Sequence, residues 1–279
     1  MSGFSAEWLA LREPADHRAV DPHLRAAFAS DLAGRETVAI TDIGCGTGSN
    51  LRGLSPYLGQ RQNWRLVDYD AGLLGAARES LSRWADEATT SGDTLHLLHG
   101  GRQIEVEFLR ADLSADLAAV LDHTCDAVTA AAFFDLVSRE WIACFCMQIA
   151  ARRLRFYTVL TYDGREIWTP PAPSDAVMLA AFHAHQASDK GFGAAAGPAA
   201  SQALADGFRQ HGSDVSTALS PWRLAGEDCA LMQSLARGSA DAVSETGIVP
   251  AAEIESWRNF HLDAAAYEIG HIDLYARPR

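Results

Sequence analysis

A glycine-rich turn preceded by an acid is the stretch of the sequence with the clearest chemical content. In "VAITDIGCGTGSN" (38–50), Gly44, Gly46 and Gly48 occupy alternate positions after an apolar run that contains Asp42. Glycines tolerate positive φ angles and let a ligand approach the backbone closely. The free amide groups at the start of a following helix attract an anionic group. The pattern therefore predicts a strand, a ligand-binding turn and a helix in succession.

Two phosphate-binding motifs do not match this turn. A dinucleotide-binding turn has the pattern G-x-G-x-x-G, but here the third glycine, Gly48, comes one position early and Ser49 takes its place. A P-loop needs a Gly-Lys-Ser/Thr sequence, which does not follow. What remains is G-x-G-x-G after an acid, a pattern that indicates a ligand without a pyrophosphate.

Further acids lie near the ends of the apolar segments that follow. Asp68 is close to the end of "NWRLVDYD" (63–70), and Asp112 is close to the end of "IEVEFLRADL" (104–113). A fourth apolar run is "CDAVTAAAFFDLV" (125–137). Because ligands of open α/β sheets bind outside the carboxyl ends of the strands, we expect these acids and the glycine turn to meet at one edge.

Strands and helices must alternate to position these residues. Periodicity predicts five strands within residues 37–164 and two late strands, at 213–224 and 265–276. The helices are expected at about 49–58, 71–87, 140–151, 175–188, 201–212, 227–238 and 250–262. This order predicts an α/β fold with a doubly wound, mostly parallel, seven-stranded sheet and helices on both faces. N-terminal helices and insertions around the last two strands complete it.

The motif "DIGCGTG" (42–48), followed by strand-end acids in this order, resembles the class I S-adenosylmethionine-dependent methyltransferases. The resemblance covers residues 38 to 160. It implies that the glycine turn holds the amino-acid portion of S-adenosyl-L-methionine, with Asp42 near its ammonium group. It also implies that Asp68 accepts hydrogen bonds from both ribose hydroxyls and that Asp112 accepts one from the adenine amine.

The resemblance implies a complete set of cofactor contacts. Tyr69 would lie against the adenine, the Leu113 amide would face a ring nitrogen, and Ala130 and Ala131 would pass beneath the sulfonium. The implied cofactor-binding residues are Asp42, Gly44, Cys45, Gly46, Gly48, Asp68, Tyr69, Asp112, Leu113, Ala130 and Ala131.

The domain organisation follows from this assignment. Residues 1–36 are expected to form an N-terminal helical cap of two short helices that break near Pro14. Residues 37–165 are expected to form the Rossmann-like cofactor-binding core. Residues 166–279 would be the remainder of the same domain, on the substrate side, with helical insertions and the last two strands.

The resemblance implies an enzyme that transfers the methyl group of S-adenosyl-L-methionine to a small-molecule acceptor, through oxygen or nitrogen. The alternatives are a protein side-chain methyltransferase and a non-catalytic protein that binds the same cofactor. An NAD-dependent oxidoreductase is disfavoured by Ser49. No catalytic residue is assigned, although a base, if required, would come from Tyr162, Asp163, His183 or His271. Six aromatic residues suit a pocket for an organic acceptor: Trp168, Phe182, Phe192, Trp222, Trp257 and Phe260.

Composition excludes several other partners. The formal net charge is −13 over 279 residues, and without a basic stripe the chain is not expected to bind nucleic acid. The first 20 residues carry charges and a proline, and no apolar run is long enough to cross a bilayer, so we expect no leader, no membrane contact and a cytoplasmic location. Five cysteines without C-x-x-C spacing predict free thiols and no metal site. The sequence does not predict an oligomeric state.

The glycine-rich stretch "DKGFGAAAGPAA" (189–200) has two interpretations. It is either a loop whose glycines and proline set the backbone geometry, or a flexible wall of the active site that carries Lys190 and Phe192 to the substrate.

Overall fold

Two helices open the part of the chain that the structure, a computed structural model, describes: residues 4–279. Helix α1 (Ala6–Ala19) is capped by Ser5, and α2 (Pro22–Asp31) is capped by Asp21. The prediction of a break near Pro14 is wrong, because α1 continues through it. Pro14 and Ala10 are both exposed, so water can reach the Ala10 carbonyl that the proline leaves unbonded.

The ten strands of the described chain form one sheet. They are β1 (Val38–Ile43), β2 (Arg61–Asp68), β3 (Glu87–Ser91), β4 (Thr94–His99), β5 (Arg102–Arg110), β6 (Ala127–Ala131), β7 (Arg155–Thr169), β8 (Asp214–Leu219), β9 (Trp222–Ala225) and β10 (Ala266–Arg277). Their order is β3-β4-β5-β2-β1-β6-β7-β10-β8, and β9 pairs with β10. The five strands from β5 to β7 are parallel, whereas β10 is antiparallel to β7.

The remaining helices cover both faces of the sheet. They are α3 (Ser49–Leu54), α4 (Ala71–Trp84), α5 (Leu113–Val120), α6 (Arg139–Ala151), α7 (Asp175–Gln186), α8 (Ala200–Gln210), α9 (Cys229–Thr246) and α10 (Ala251–His261). Consecutive strand residues enter different apolar clusters. Phe156 packs with Phe145 and Phe208 from α6 and α8, whereas Tyr157 packs in the other cluster, with Phe28 from α2. The predicted α/β architecture, with a core of parallel strands and helices on both faces of the sheet, is thereby confirmed.

The sheet has three strands more than the seven expected. A hairpin of β3 and β4 adds two: the helix predicted at about 71–87 ends at Trp84, and the chain then forms β3 and turns at Gly92, whose φ is +60°. The late segment 213–224 forms β8 and β9, two strands instead of one. Pro221 lies between them and lacks the amide that a continuous strand would need.

The three segments expected from the sequence share one packed interior. A single apolar cluster contains Phe28, Ile40 and Trp257, one from each segment. The boundary at residue 165 falls within β7, which continues to Thr169. Residues 1–3 of the predicted cap lie outside the described residues. Between residues 4 and 279, no helix combines the length and the apolar character needed to cross a membrane.

Candidate functional site

The glycine turn connects β1 to α3 in a left-handed backbone conformation. Gly44, Gly46 and Gly48 have φ angles of +63°, +53° and +77°, which favour glycine at all three positions. The Cys45 amide donates a hydrogen bond to the Val67 carbonyl at 3.1 Å, so the turn is attached to β2 as well. Cys45 itself is buried, and burial raises the pKa of its thiol.

Asp42 lies at the base of this turn and is buried. Its Oδ1 accepts hydrogen bonds from Asn50 Nδ2 at 2.6 Å and from Thr129 Oγ1 at 2.8 Å. Its Oδ2 is also buried but has no hydrogen-bond partner among residues 4–279. Burial raises the pKa of Asp42 to about 7, against the opposing effect of the two hydrogen bonds. The free oxygen is a site for a donor that the chain itself does not supply.

Asp68, at the end of β2, is hydrogen-bonded directly to the glycine turn. Its Oδ2 accepts the Gly46 amide at 2.9 Å and its Oδ1 accepts the Asp70 amide at 3.0 Å. Burial raises its pKa, whereas these two hydrogen bonds lower it. A carboxylate has about four acceptor positions, so two remain for a ligand. Tyr69 follows with its side chain exposed.

Asp112 and Leu113 lie at the end of β5, beside β2. Asp112 caps α5: its Oδ1 accepts hydrogen bonds from the amide and the hydroxyl of Ser114 at 2.9 and 2.7 Å. Leu113 is buried, and its carbonyl accepts the Trp141 indole N–H at 2.9 Å. The Leu113 amide is at the first helical position, where the helix provides it with no acceptor.

Ala130 and Ala131 end β6 next to the glycine turn, since Asp42 pairs with Thr129 between β1 and β6. The chain then turns at Ala132, whose φ is +50°, and brings Phe133 against Gly44. A Cβ atom on Gly44 would lie only 2.6 Å from the Phe133 ring. Phe133 was not predicted from the sequence, although two aromatic residues directly after an apolar strand were a visible signal.

Helix α1 contacts both the glycine turn and the helix α3 that follows it. A Cβ atom on Gly46 would lie 3.0 Å from Leu9 Cδ1. Arg52 forms a bidentate salt bridge with Glu13, with an Nε–Oε1 distance of 2.7 Å. His17 Nε2 lies 3.0 Å from the Ser49 carbonyl. No motif predicted these contacts, because they join segments far apart in sequence.

A second group of polar residues lies along the extension of β7. Tyr162 and Glu166 are brought together by a bulge at Gly164, whose φ is +89°. The Tyr162 hydroxyl donates to Glu166 Oε1 at 2.7 Å and accepts a hydrogen bond from His183 Nε2 at 2.9 Å. Tyr267 donates to the other Glu166 oxygen. Burial raises the pKa of Glu166 and lowers that of His183.

The remaining candidate bases differ in their surroundings. Asp163 accepts the Arg165 amide at 2.9 Å and so supports the bulge. His271 is buried beside Tyr162, with 6.4 Å between the ring centres, and burial lowers its pKa to about 3. Asp135 was not predicted from the sequence. Burial raises its pKa to about 6, against the charge of Arg12.

A cavity of about 280 Å³ opens between the end of β7 and helices α7, α9 and α10. Its lining residues are Glu166, Trp168, Asp175, Ala176, Met178, Leu179, Phe182, Ser239 and Trp257. Three of the six aromatic residues expected around an acceptor are therefore in its wall. Of the others, Trp222 donates to Asp16, Phe192 packs on Phe133 and Trp141, and Phe260 is exposed.

The glycine-rich loop at 189–200 approaches the glycine turn through Phe192, which packs on Phe133. Asp189 Oδ1 accepts the amides of Gly191 and Gly193 at 2.7 and 2.9 Å, which closes the loop on itself. The Phe192 ring lies edge-on to Phe133 at 5.8 Å between ring centres. Lys190 is half-buried.

His183 and His185 bind different partners, Tyr162 and Glu245 respectively. Across the described residues 4–279, no group of three or more potential metal-ligating side chains comes together.

Comparison with known proteins identifies the fold. No protein-family model and no curated protein sequence matches the chain. A cyclopropane-fatty-acyl-phospholipid synthase-like protein from Lactobacillus casei is 18% identical, covers 97% of this chain and 94% of its own, and has a TM-score of 0.50. A provisionally assigned methyltransferase from Bacillus halodurans is 13% identical, covers 91% and 99%, and has a TM-score of 0.50.

A third structure is the S-adenosylmethionine-dependent methyltransferase from Geobacter sulfurreducens in complex with S-adenosyl-L-homocysteine. It is 13% identical, covers 100% of both chains and has a TM-score of 0.47. Taken together with the strand order, the first two of these structures show that this chain has the fold of the class I S-adenosylmethionine-dependent methyltransferases.

Proposed function

We propose that this protein transfers the methyl group of S-adenosyl-L-methionine to a small-molecule acceptor. The observation that carries the proposal is the convergence of Asp42, the three left-handed glycines and Asp68 on one turn. A fold by itself does not imply a function, so the proposal depends on the chemistry of these residues.

The residues of the turn fit this cofactor. The free Oδ2 of Asp42 is a buried acceptor, and an ammonium group beside it would favour the charged form of this carboxyl. Asp68 retains acceptor positions for the ribose hydroxyls, and Tyr69 offers an exposed ring to the adenine. Asp112 and the Leu113 amide would bind the adenine edge, with Ala130 and Ala131 beneath the sulfur. Gly44, Cys45, Gly46 and Gly48 would supply the backbone that approaches the methionine part.

The protein's own contribution to the reaction is alignment and exclusion of water. The cofactor supplies a methyl group already activated by the adjacent positive sulfur. Leu9 lies against Gly46 and Phe133 against Gly44, where these side chains would keep water from the methyl group. Correct orientation of the acceptor can supply much of the rate acceleration.

The acceptor side is proposed to consist of α1 and residues 166–279. Asp135 follows β6, and Tyr162 and His271 pair with each other within β7 and β10. Each of the three is buried and has a shifted pKa. Buried titratable groups in a cleft are characteristic of functional sites. No single residue among them is assigned as a catalytic base.

Incubation with methyl-labelled S-adenosyl-L-methionine and a metabolite extract tests the proposal. Label in the small-molecule fraction supports it, and label in a protein band favours the side-chain alternative. Binding of the cofactor without any transfer would favour the non-catalytic alternative. Tight binding of NADH, with none of S-adenosyl-L-methionine, would contradict the proposal and support an oxidoreductase.

A further inference from the structure

The cavity at the end of β7 lies on the same edge of the sheet as the glycine turn. β7 runs parallel to β6, so its extension from Tyr162 to Thr169 projects beyond the carboxyl ends of the parallel strands. The cavity volume of about 280 Å³ is roughly nine times the 30 Å³ that one water occupies in the liquid. It has room for a small organic molecule.

Among residues 4–279, the charged groups in the cavity wall are two carboxylates. Glu166 is contributed by β7 and Asp175 by α7, and no lysine or arginine lines the cavity. In the region from residue 4 to 279, no lysine or arginine nitrogen lies within 4.0 Å of either carboxylate, whereas His261 contacts Asp175 at 2.7 Å. Buried charges are usually paired with a cation. Asp175 has His261 as a basic partner, whereas Glu166 has none among the described residues.

Neutral donors hold both carboxylates in position. The hydroxyls of Tyr162 and Tyr267 each donate to one oxygen of Glu166. Asp175 accepts the Trp257 indole N–H at 2.7 Å and the Ala172 amide at 2.8 Å. The His261 contact adds a further donor, and the Nδ1 atom of that imidazole is buried without a partner among the residues described. These donors fix the orientation of both carboxylates, and the two on Glu166 are hydroxyl groups.

The two carboxylates also act on each other. Burial raises the pKa of Glu166, and the negative charge of Asp175 raises it further. A cation in the cavity would be attracted by both groups and would reduce their mutual repulsion.

The rest of the wall is apolar and aromatic. Phe182, Trp257, Met178 and Leu179 face the cavity. Trp168 is fixed as a wall by stacking on Tyr267, at 3.5 Å between ring centres, and on His261, at 4.4 Å. Aromatic rings attract organic cations, and apolar side chains accept their alkyl groups.

We propose that this cavity binds a small alkylammonium cation, held between the carboxylates of Glu166 and Asp175 and against the rings of Phe182 and Trp257. The use of the cavity as the binding site of the methyl acceptor rests on the proposed function. The affinity for an organic cation does not.

Calorimetric titration without any methyl donor tests the inference. The probes are choline and its neutral analogue of the same shape, 3,3-dimethyl-1-butanol. We expect choline to bind one site at least about tenfold more tightly than the neutral alcohol. Glu166→Gln, which keeps hydrogen-bonding capacity, should weaken choline binding about tenfold. Glu253→Gln, on the exposed surface of α10 outside the cavity, is the matched control and should leave the affinity unchanged.

A second variant covers the case in which Glu166→Gln does not fold. Phe182→Leu changes a half-buried ring without touching either carboxylate, and it should weaken choline more than the neutral alcohol. Equal affinities for the two probes, or choline binding unchanged in Glu166→Gln and Phe182→Leu, would overturn the inference. Displacement of choline by micromolar calcium or zinc would overturn the inference and indicate a metal site in the cavity. Because no methyl donor is present, these outcomes are independent of whether methyl transfer occurs.

Discussion

The carboxylate of Asp68 accepts the backbone amide of Gly46 at 2.9 Å, so the acid at the end of β2 holds the glycine turn that follows β1. One residue thereby orders the turn and presents its remaining acceptor positions at the same place. Disturbing the turn should affect the cofactor site, whereas an equally strained turn elsewhere should not.

Gly46→Ala tests this relationship. A non-glycine residue at φ +53° is strained, and the new Cβ would lie 3.0 Å from Leu9. We expect a loss of about 1–2 kcal/mol in the free energy of unfolding, measured in urea, together with weaker binding of S-adenosyl-L-methionine. Gly92→Ala is the control, because Gly92 has φ +60° but no neighbour within 4 Å. If both variants bind the cofactor as the wild type does, the turn has no part in binding.

Asp42→Asn should change the pH dependence of stability. The pKa of Asp42 is raised to about 7 by burial, so the native state holds a proton that the unfolded chain releases above its ordinary pKa. The stability that this group contributes is fully present at low pH and is lost as the pH rises through about 7. Relative to Asp42→Asn, the wild type should lose about 2–3 kcal/mol between pH 5 and pH 8.

Urea unfolding of both proteins at the two pH values measures this difference. The sign of the difference is the critical result: the free energy of unfolding of the variant should increase relative to that of the wild type as the pH rises. Parallel stability profiles would mean that Asp42 is not the buried acid described here. The same variant should bind S-adenosyl-L-methionine more weakly, because it lacks the anionic oxygen.

Two substitutions in the loop at residues 189–200 distinguish an effect on cofactor binding from an effect on acceptor binding. Phe192→Ala removes the ring that packs on Phe133, which in turn contacts Gly44, so it should raise the dissociation constant of the cofactor several-fold. Lys190→Ala should instead raise the KM for the acceptor and leave cofactor binding unchanged. Steady-state kinetics and calorimetry separate the two effects. Unchanged kinetics in both variants would mean that the loop has only a structural role.

The core of the fold was predictable because local patterns carry it. The apolar run of β1, the glycines after it and the acids at the ends of β2 and β5 are each visible in a short window of sequence. The parallel order then follows from alternation of strands and helices. The helix break predicted at Pro14 does not occur. On an exposed helix face, water can reach the one carbonyl, that of Ala10, which the proline leaves without a hydrogen-bond donor.

The second half of the site was not predictable in the same way. The cavity combines residues from β7, α7, α9 and α10, which only the folded chain brings together. Tyr162 and Glu166 meet through a bulge whose register depends on β10. The aromatic residues Trp168, Phe182 and Trp257 were recognised by type, but their common location depends on long-range packing. Asp135 and Arg12 carried no motif at all.

The most direct measurement is calorimetric titration of S-adenosyl-L-methionine into the wild type, Asp68→Asn and Asp93→Asn. Asp93 lies in the exposed hairpin turn between β3 and β4 and serves as the control. We expect one binding site in the wild type, the same affinity in Asp93→Asn, and an affinity weaker by about tenfold or more in Asp68→Asn, which loses charge-assisted hydrogen bonds. No binding by the wild type, or equal affinity in all three proteins, would contradict it.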